Sequence, residues 1–571
     1  MTQTHKSFFS RWSVAEIMLV ILFLLAPLYY HPNLGGEGLR IPNNITVWLI
    51  ALIFITFSLN KVIKAEFFQL PRYFGYLAAF PVLVILSGFL AGVEQPLSWL
   101  FRVLFILGGF AFLISLLQHK LKAGRWDRLL LIIALSGLIH AGIGLLQMWL
   151  KLDMPFLLPK SPDGIPGGLF QQINNQASYL TTCIVLAFYL ASRPLTFRRL
   201  KVIQLLLALT VLTASLILGI SGSRVGLLGI ATALPILLLA RRKQLFRNKR
   251  LSILLLVAAI SGFSFGVVQS SSKVVDKTTA IHAGYSGSAR LGIYNISLDL
   301  LTQEPLFGHG IGSFPRVFQY ARPGFYAEHP DGKLPKQKVG HPHNELLLWM
   351  VEGGLVALLG IMVATVGMML ALIKLGVSRG WSCFAFLLPL SIHTLVELPF
   401  YMSALHWLMF ILLIAASFQY SLSQRRNQMT VYAKKLSTIS LLLISLLMML
   451  ALAHTIRANW DFIAFYKGQQ NEKPLPVAKQ NPFLAEQAQW IDMSAMLYSS
   501  MQYGLRDNVV YYVLWGEQLL KTNPDIDLYT KLLDAYEYLD NKSAYCETAR
   551  KGSQLYPHSE RMQQALFKCR N

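Results

Sequence analysis

The chain has 571 residues, 54% of them apolar and only 14% charged, with 51 Lys+Arg against 28 Asp+Glu and a formal net charge of +23. Soluble domains carry about 25% charged residues, and a disordered basic tail needs low hydrophobicity; a mean hydropathy of +0.48 excludes both. From Ile456 onward 13 basic residues meet 13 acidic ones, so the whole excess lies in residues 1–455, where 38 basic residues face 15 acidic ones. Those residues punctuate apolar runs and do not line the face of a soluble fold, which argues against a nucleic-acid partner. The pattern is that of an all-α polytopic membrane protein with a soluble C-terminal domain.

A bilayer core about 30 Å thick takes about 20 apolar helical residues per crossing. In chain order, segments 14–30, 46–59, 73–93, 98–117, 128–149, 176–192, 200–219, 223–240, 251–269, 346–374, 381–396, 402–419 and 437–455 qualify, about 13 spans. The first reads as a span and not as a cleaved signal, because Pro27, Tyr29 and Tyr30 close it without a small-residue cleavage site. Basic residues set the orientation. With the N-terminus inside, the N-terminal segment, 60–72, 118–128, 193–201, 241–250, 374–380 and 420–435 become cytoplasmic and hold 25 Lys/Arg, Arg241 and Arg242 among them. The short outer loops hold four: Arg40, Lys151, Lys160 and Arg224. We read these basic runs as topogenic.

The predicted organisation is membrane helices over 1–269, a large periplasmic loop over 270–345, further membrane helices over 346–455, and a periplasmic helical domain over 456–571. A Pro- and Gly-rich loop over 150–175 shares the outer face. In the tail, Pro482, Pro524 and Pro557 open successive segments, and the 33-residue spacing of Asn523-Pro524 and Tyr556-Pro557 approximates a tetratricopeptide period. A generic small helical domain fits equally. Cys183 and Cys383 lie in spans as packing residues. Cys546 and Cys569 share the tail, where an oxidising compartment permits a disulfide; free thiols are the alternative.

Four constellations fall on the outer side. Gln171-Gln172-Ile173-Asn174-Asn175-Gln176 opens the sixth span. Amides are costly to bury unpaired and suit glycan hydroxyls, offering donor and acceptor without a competing charge; capping of the helix by Asn174 or Asn175 is the plainer reading. Ser223-Arg224 sits in the tight turn before the eighth span, where a guanidinium can hold a phosphate bidentately or simply snorkel. Arg290 is followed by Tyr294, Asp299, Pro305, Gly308 and Gly310, a stretch that reads as an extramembrane helix and turn. His341-Pro342-His343-Asn344-Glu345 precedes the tenth span and offers a general base or a cation. The alternation of His341, His343 and Glu345 also admits a metal on an extended strand, but no further His/Cys cluster supports one. Glu397 and Tyr401 add a carboxylate and a phenol, and Arg102 adds positive charge.

These residues, in this order, resemble the O-antigen ligase superfamily, and most nearly its bacterial protein O-oligosaccharyltransferase branch of the PglL type, which glycosylates pilins. The resemblance rests on Gln172-x-Asn174, Ser223-Arg224, Arg290 with Pro305-x-x-Gly308-x-Gly310, and His343-Asn344-Glu345-Leu346. It implies a metal-independent glycosyltransferase of the bacterial inner membrane that needs no cofactor. Such an enzyme moves a preassembled oligosaccharide from an undecaprenyl-pyrophosphate carrier, a membrane lipid, to Ser or Thr of a periplasmic, pilin-like acceptor protein. It also implies catalytic roles for His343 and Tyr401, pyrophosphate binding by Arg224 and Arg290, and glycan or donor binding by Gln172 and Asn174. Gln171 offers a second register for Gln172. Ligation of O-antigen to lipid A–core and O-antigen polymerisation use the same chemistry. A transporter or flippase would place polar residues near the midplane, whereas here they gather at one face.

Overall fold

The computed structural model describes residues 12–119, 121, 123–149, 158–159, 164–197, 201–282, 287–469 and 474–570. Lys151, Lys160 and much of the 150–175 loop lie outside the described residues. The chain is helical almost throughout, and every segment expected to cross the membrane falls on a helix. Among the described residues, eight helices are long and apolar enough to cross: Pro42–Lys64, Pro96–Leu117, Gly124–Met148, Lys201–Ser221, Arg224–Arg247, Lys249–Ser270, Glu345–Lys374 and Val431–Tyr466. Val14–Leu28, Phe74–Leu90 and Ala404–Phe418 are shorter apolar helices.

The helices Ile173–Ala191 and Gly376–Thr394 carry more polar residues. Burial explains them. Every residue from Asn175 to Phe188 is buried, and a helix enclosed by other helices can carry hydrogen-bonded Ser, Thr and Gln where a lipid-facing one cannot. Val431–Tyr466 is the opposite case, exposing Leu442, Leu443, Leu446 and Leu447 as a lipid-facing helix would.

The chain forms two compact units. The first comprises Met1–Ala79, Phe105–Val275 and Val363–Ile463. Within it, Ile173–Ala191 packs on Ala123–Trp149, Lys201–Ser221, Arg224–Arg247 and Gly376–Thr394. Cys183 is a packing residue, as expected: it is fully buried, and a Cβ on Gly137 would stand 2.6 Å from its own Cβ. Lys249–His282 approaches Lys201–Ser221 through Gly262 and Gly266, where a Cβ would lie 2.3 Å from the carbonyl oxygens of Leu212 and Leu216. Without a hydrophobic drive between helices in lipid, such small residues let backbones meet.

The basic end of this unit is structured. Arg241, read from sequence as topogenic, is also a packing residue: it is buried, its guanidinium donates to Ser192 Oγ at 3.1 Å and Ser378 Oγ at 3.2 Å, and it lies 4.9 Å from the Tyr189 ring centroid. Arg193 pairs with Asp127 at 2.9 Å. Loops 60–72 and 420–435, assigned to one side by charge, meet in a two-stranded antiparallel ribbon, Phe67–Pro71 with Leu422–Arg426, in which Phe67 faces Arg426. The ribbon was not legible in sequence, because neither strand alternates apolar and polar residues.

The second unit comprises Phe80–Leu104, Asp276–Met362 and Ala464–Asn571. Its tail contributes helices Ala485–Tyr503, Arg506–Leu520, Ile526–Tyr538, Lys542–Leu555 and Glu560–Lys568. Each packs on the next, and Ile526–Tyr538 also touches Ala485–Tyr503 and Glu560–Lys568, the nearest-neighbour stacking of helical repeats. The tail is built onto the loop helix Phe314–Glu328 and the segment after it. Tyr320 Oη donates to the Leu520 carbonyl at 2.9 Å, and Lys338 Nζ donates to Asn523 Oδ1 at 2.6 Å. The buried Arg322 guanidinium lies 4.6 Å from the Tyr556 ring and donates to the Pro335 carbonyl at 2.9 Å. Phe101 stacks on Phe483 with centroids 4.0 Å apart.

Cys546 and Cys569 form a disulfide that ties Lys542–Leu555 to the end of the last helix. Closing a loop of this size in the unfolded chain stabilises by roughly 3 kcal/mol. We expect maleimide to label these two positions in the native protein only after reduction; labelling without reductant would contradict the bond.

Candidate active site

In the first unit, one end of the bundle is organised around one carboxylate. After the turn Gly168–Phe170, Gln171 takes a left-handed backbone, φ 55°, and Gln172 an extended one. With that switch, the side chain of Gln172 meets Glu397. Gln172 Nε2 donates to Glu397 Oε2 at 2.7 Å, and Asn174 Nδ2 donates to Glu397 Oε1 at 2.8 Å. His393 Nε2 lies 3.2 Å from Glu397 Oε2. Burial raises the Glu397 pKa, but hydrogen bonds from His393, Asn174 and Gln172 outweigh it, and the net direction is down. Glu397 is therefore a carboxylate.

Beyond His393 the network runs inward. His393 Nδ1 lies 2.8 Å from Ser178 Oγ, which is 3.3 Å from His406 Nε2, and His406 Nε2 lies 2.9 Å from the Asn175 carbonyl. An ionised Glu397 needs the proton on His393 Nε2. Nδ1 then accepts from Ser178. His406 Nε2 donates to the Asn175 carbonyl, which can only accept.

Neither Asn174 nor Asn175 caps the helix, against the plainer reading of the sequence. Asn174 Oδ1 instead accepts from Ser223 Oγ at 2.8 Å. Ser223 Oγ in turn accepts from the Gly226 N–H at 3.3 Å, making Ser223 the N-cap of Arg224–Arg247. Arg224 is exposed at the first position of that helix. Seventeen residues on, Arg241 marks the basic end; at 1.5 Å per residue the two lie roughly 25 Å apart, about the thickness of a bilayer core. Tyr401, in the short helix Pro399–Met402, stacks on Phe105 with centroids 5.6 Å apart.

In the second unit, the tenth span is broken. Glu345–Lys374 contains Gly354 at φ 62°, ψ −162°, outside helical geometry. The motif Pro305-Leu306-Phe307-Gly308-His309-Gly310 enters the break. His309 and Gly310 N–H donate to the Val351 and Glu352 carbonyls at 2.9 and 3.0 Å, and Leu355 and Val356 N–H donate to the Pro305 and Leu306 carbonyls at 2.8 and 3.2 Å. The freed backbone groups are thus satisfied by this segment, as a membrane helix requires. Glu352, fully buried, pairs with Arg102 at 2.8 Å.

The same helix opens at the histidine motif. Asn344 Oδ1 accepts the Leu347 N–H at 3.1 Å, capping it. His343 stands just before, half-buried, with φ 54°, a left-handed backbone uncommon outside glycine, though histidine adopts it more readily than most residues. Its N–H donates to His341 Nδ1 at 3.2 Å, and the two rings lie 4.5 Å apart. His341, His343 and Glu345 therefore occupy a turn and a helix start, not the strand on which they would alternate as ligands. Arg290, half-buried, lies on the helix Gly287–Gln303.

The structure brings Gln172 and Asn174 together through Glu397, and joins Asn174 to the turn that carries Arg224. The sequence reading missed His393, Ser178 and His406, and it gave Glu397 no role beyond its charge. The usable signal was the i,i+4 spacing of His393 and Glu397; Ser178 and His406 are single polar residues in apolar helices and carry none.

Two family models match the chain. Residues 208–362 match one described as O-antigen ligase, and residues 381–568 match one described as virulence factor membrane-bound polymerase, C-terminal. The first contains Arg224, Arg290 and His343; the second contains Glu397, Tyr401 and nearly all of the tail. No curated protein matches the chain.

Proposed function

We propose, from two matches that support the O-antigen ligase superfamily and glycosyl transfer at a membrane, that the chain is a protein O-oligosaccharyltransferase of the bacterial inner membrane. It moves a preassembled glycan from an undecaprenyl-pyrophosphate carrier to Ser or Thr of a periplasmic, pilin-like protein. The observation that carries the protein acceptor is the charge-balanced tail, built onto the loop helix Phe314–Glu328 in the unit that holds His343 and Arg290. A soluble helical domain beside the chemistry serves a folded acceptor; a lipid acceptor arrives by lateral diffusion. The tail disulfide supports an extracytoplasmic position for this domain.

A bond forms between the acceptor oxygen and the anomeric carbon as the bond to the pyrophosphate oxygen breaks, inverting that centre in a single displacement. Negative charge grows on pyrophosphate, and preorganised guanidinium groups stabilise that state more than the ground state. Arg224 and Arg290 are assigned this role. His343 takes the hydroxyl proton or, as an imidazolium, adds to the cationic charge. Gln172 meets the donor glycan, Asn174 shapes that donor site from its place between Glu397 and Ser223, and Tyr401 supplies a phenol to donor or acceptor.

The second match, to a membrane-bound polymerase C-terminal family, favours one other reading, extension of lipid-linked repeats by a polymerase. Expression with a lipid-linked glycan pathway and a periplasmic pilin separates them. Mass spectrometry should find the pilin heavier by one preassembled glycan on Ser or Thr. An unmodified pilin with lengthened lipid-linked chains would establish polymerisation instead.

A further inference from the structure

We infer that Glu397 is a positioning residue, which sets the amide polarity of Gln172 and Asn174 and, through Ser223, the start of the helix that presents Arg224. The inference rests on the pyrophosphate role proposed for Arg224. Three donors converge on the carboxylate: Gln172 Nε2, Asn174 Nδ2 and His393 Nε2. An acceptor-only group is the one chemistry that satisfies all three.

The consequence travels along a single line of hydrogen bonds. With Nδ2 held by Glu397, Asn174 has its oxygen turned to the Ser223 hydroxyl. Ser223 spends its proton there, so its oxygen is left to accept the Gly226 N–H. That bond caps the helix one residue before Arg224. Gln172 is polarised in the same way. Its Nε2 is committed to Glu397, and its Oε1, buried and without a hydrogen-bond partner among the described residues, is left as an acceptor for an incoming hydroxyl. Behind Glu397, the fully buried His393 and Ser178 hold the carboxylate from the bundle interior.

An amide at 397 breaks this logic. Its NH₂ must face one of the three donors, and an Asn174 side chain that flips to meet it turns its own NH₂ toward Ser223. A compensating change exists. In Glu397→Gln with Asn174→Asp, the carboxylate at 174 accepts from both Ser223 and the new amide, so every donor meets an acceptor again.

The test uses the full-length protein in detergent or liposomes with its lipid-linked donor and acceptor protein, measuring turnover per folded molecule and apparent donor KM. Glu397→Gln should reduce turnover at least tenfold with unchanged thermal stability. Adding Asn174→Asp should recover most of that loss. In an Arg224→Lys background, which lacks the bidentate fork, Glu397→Gln should cost much less than it does alone, because the two act through one group. Losses that simply multiply, or no recovery with Asn174→Asp, overturn the inference. So does a Glu397→Gln protein that is less stable yet turns over normally per folded molecule. If Arg224→Lys and Arg224→Ala both keep full turnover, the pyrophosphate role of Arg224 falls and the inference falls with it. If they are impaired while Glu397→Gln is not, the inference alone falls.

Discussion

Replacing His343 by Ala should lower glycan transfer about 10²–10⁴-fold, the usual contribution of a positioned general base, with the protein still folded. The side chain is half-buried before a helix whose cap belongs to Asn344, so its removal leaves the Leu347 N–H satisfied. The positive φ at 343 is an added reason to expect function there, since such conformations cost of order 1–3 kcal/mol and persist where the surroundings demand them. Gln and Lys at 343 divide the two roles. Substantial transfer by His343→Lys identifies a cation acting on pyrophosphate; near-complete loss in both variants identifies a base. Arg290→Ala and Arg290→Lys should each cause a large loss, because Lys keeps the charge but not the planar fork. Near-wild-type transfer by both His343→Ala and Arg290→Ala, read by mass spectrometry of the acceptor, would remove both residues from the mechanism.

Gly308→Ala should abolish transfer by a different route, through the broken tenth span. At Gly308, φ is +70°, and a Cβ would stand 2.6 Å from the Glu352 carbonyl carbon and the Val351 oxygen. Those are backbone atoms of the break itself and cannot rotate away. The left-handed conformation costs a non-glycine residue about 1–2 kcal/mol. Displacing the segment also weakens the bonds from His309 and Gly310 to the broken helix, at about 1 kcal/mol each. A destabilisation on the order of 3–4 kcal/mol follows, visible as a lower melting temperature and lower folded yield in detergent. Gly324→Ala, in the helix Phe314–Glu328 with nothing within 4 Å of its added Cβ, serves as the control and should leave both unchanged. An equally stable and active Gly308→Ala protein would mean that the motif does not brace the break.

Much of the architecture was legible without coordinates because it is written in one dimension. Apolar runs long enough for a bilayer located the helices, and Lys/Arg asymmetry divided the loops. The pairing of 67–71 with 422–426, and the meeting of Ser192, Arg241 and Ser378, join segments that charge alone had placed on one side. The candidate residues were legible as types: amides, an Arg and a His at apolar boundaries cost free energy unless they have partners. Their partners were not. Glu397 lies 225 residues from Gln172 and 223 from Asn174, and no local pattern encodes such a contact.

By itself, then, the sequence determined the solvent: a helical chain with spans apolar enough for lipid and a charge-balanced tail beyond. Hydropathy and charge are sums over neighbouring residues, and the membrane reads them directly. Only the tertiary structure decided that Gln172 bonds Glu397, and that Arg241 is a buried packing residue. It alone decided that the segment from Pro305 to Gly310 repairs a broken helix and that the tail rests on Phe314–Glu328. Each of those outcomes depends on which donor meets which acceptor far along the chain, or on a backbone torsion. Packing of the whole bundle sets both.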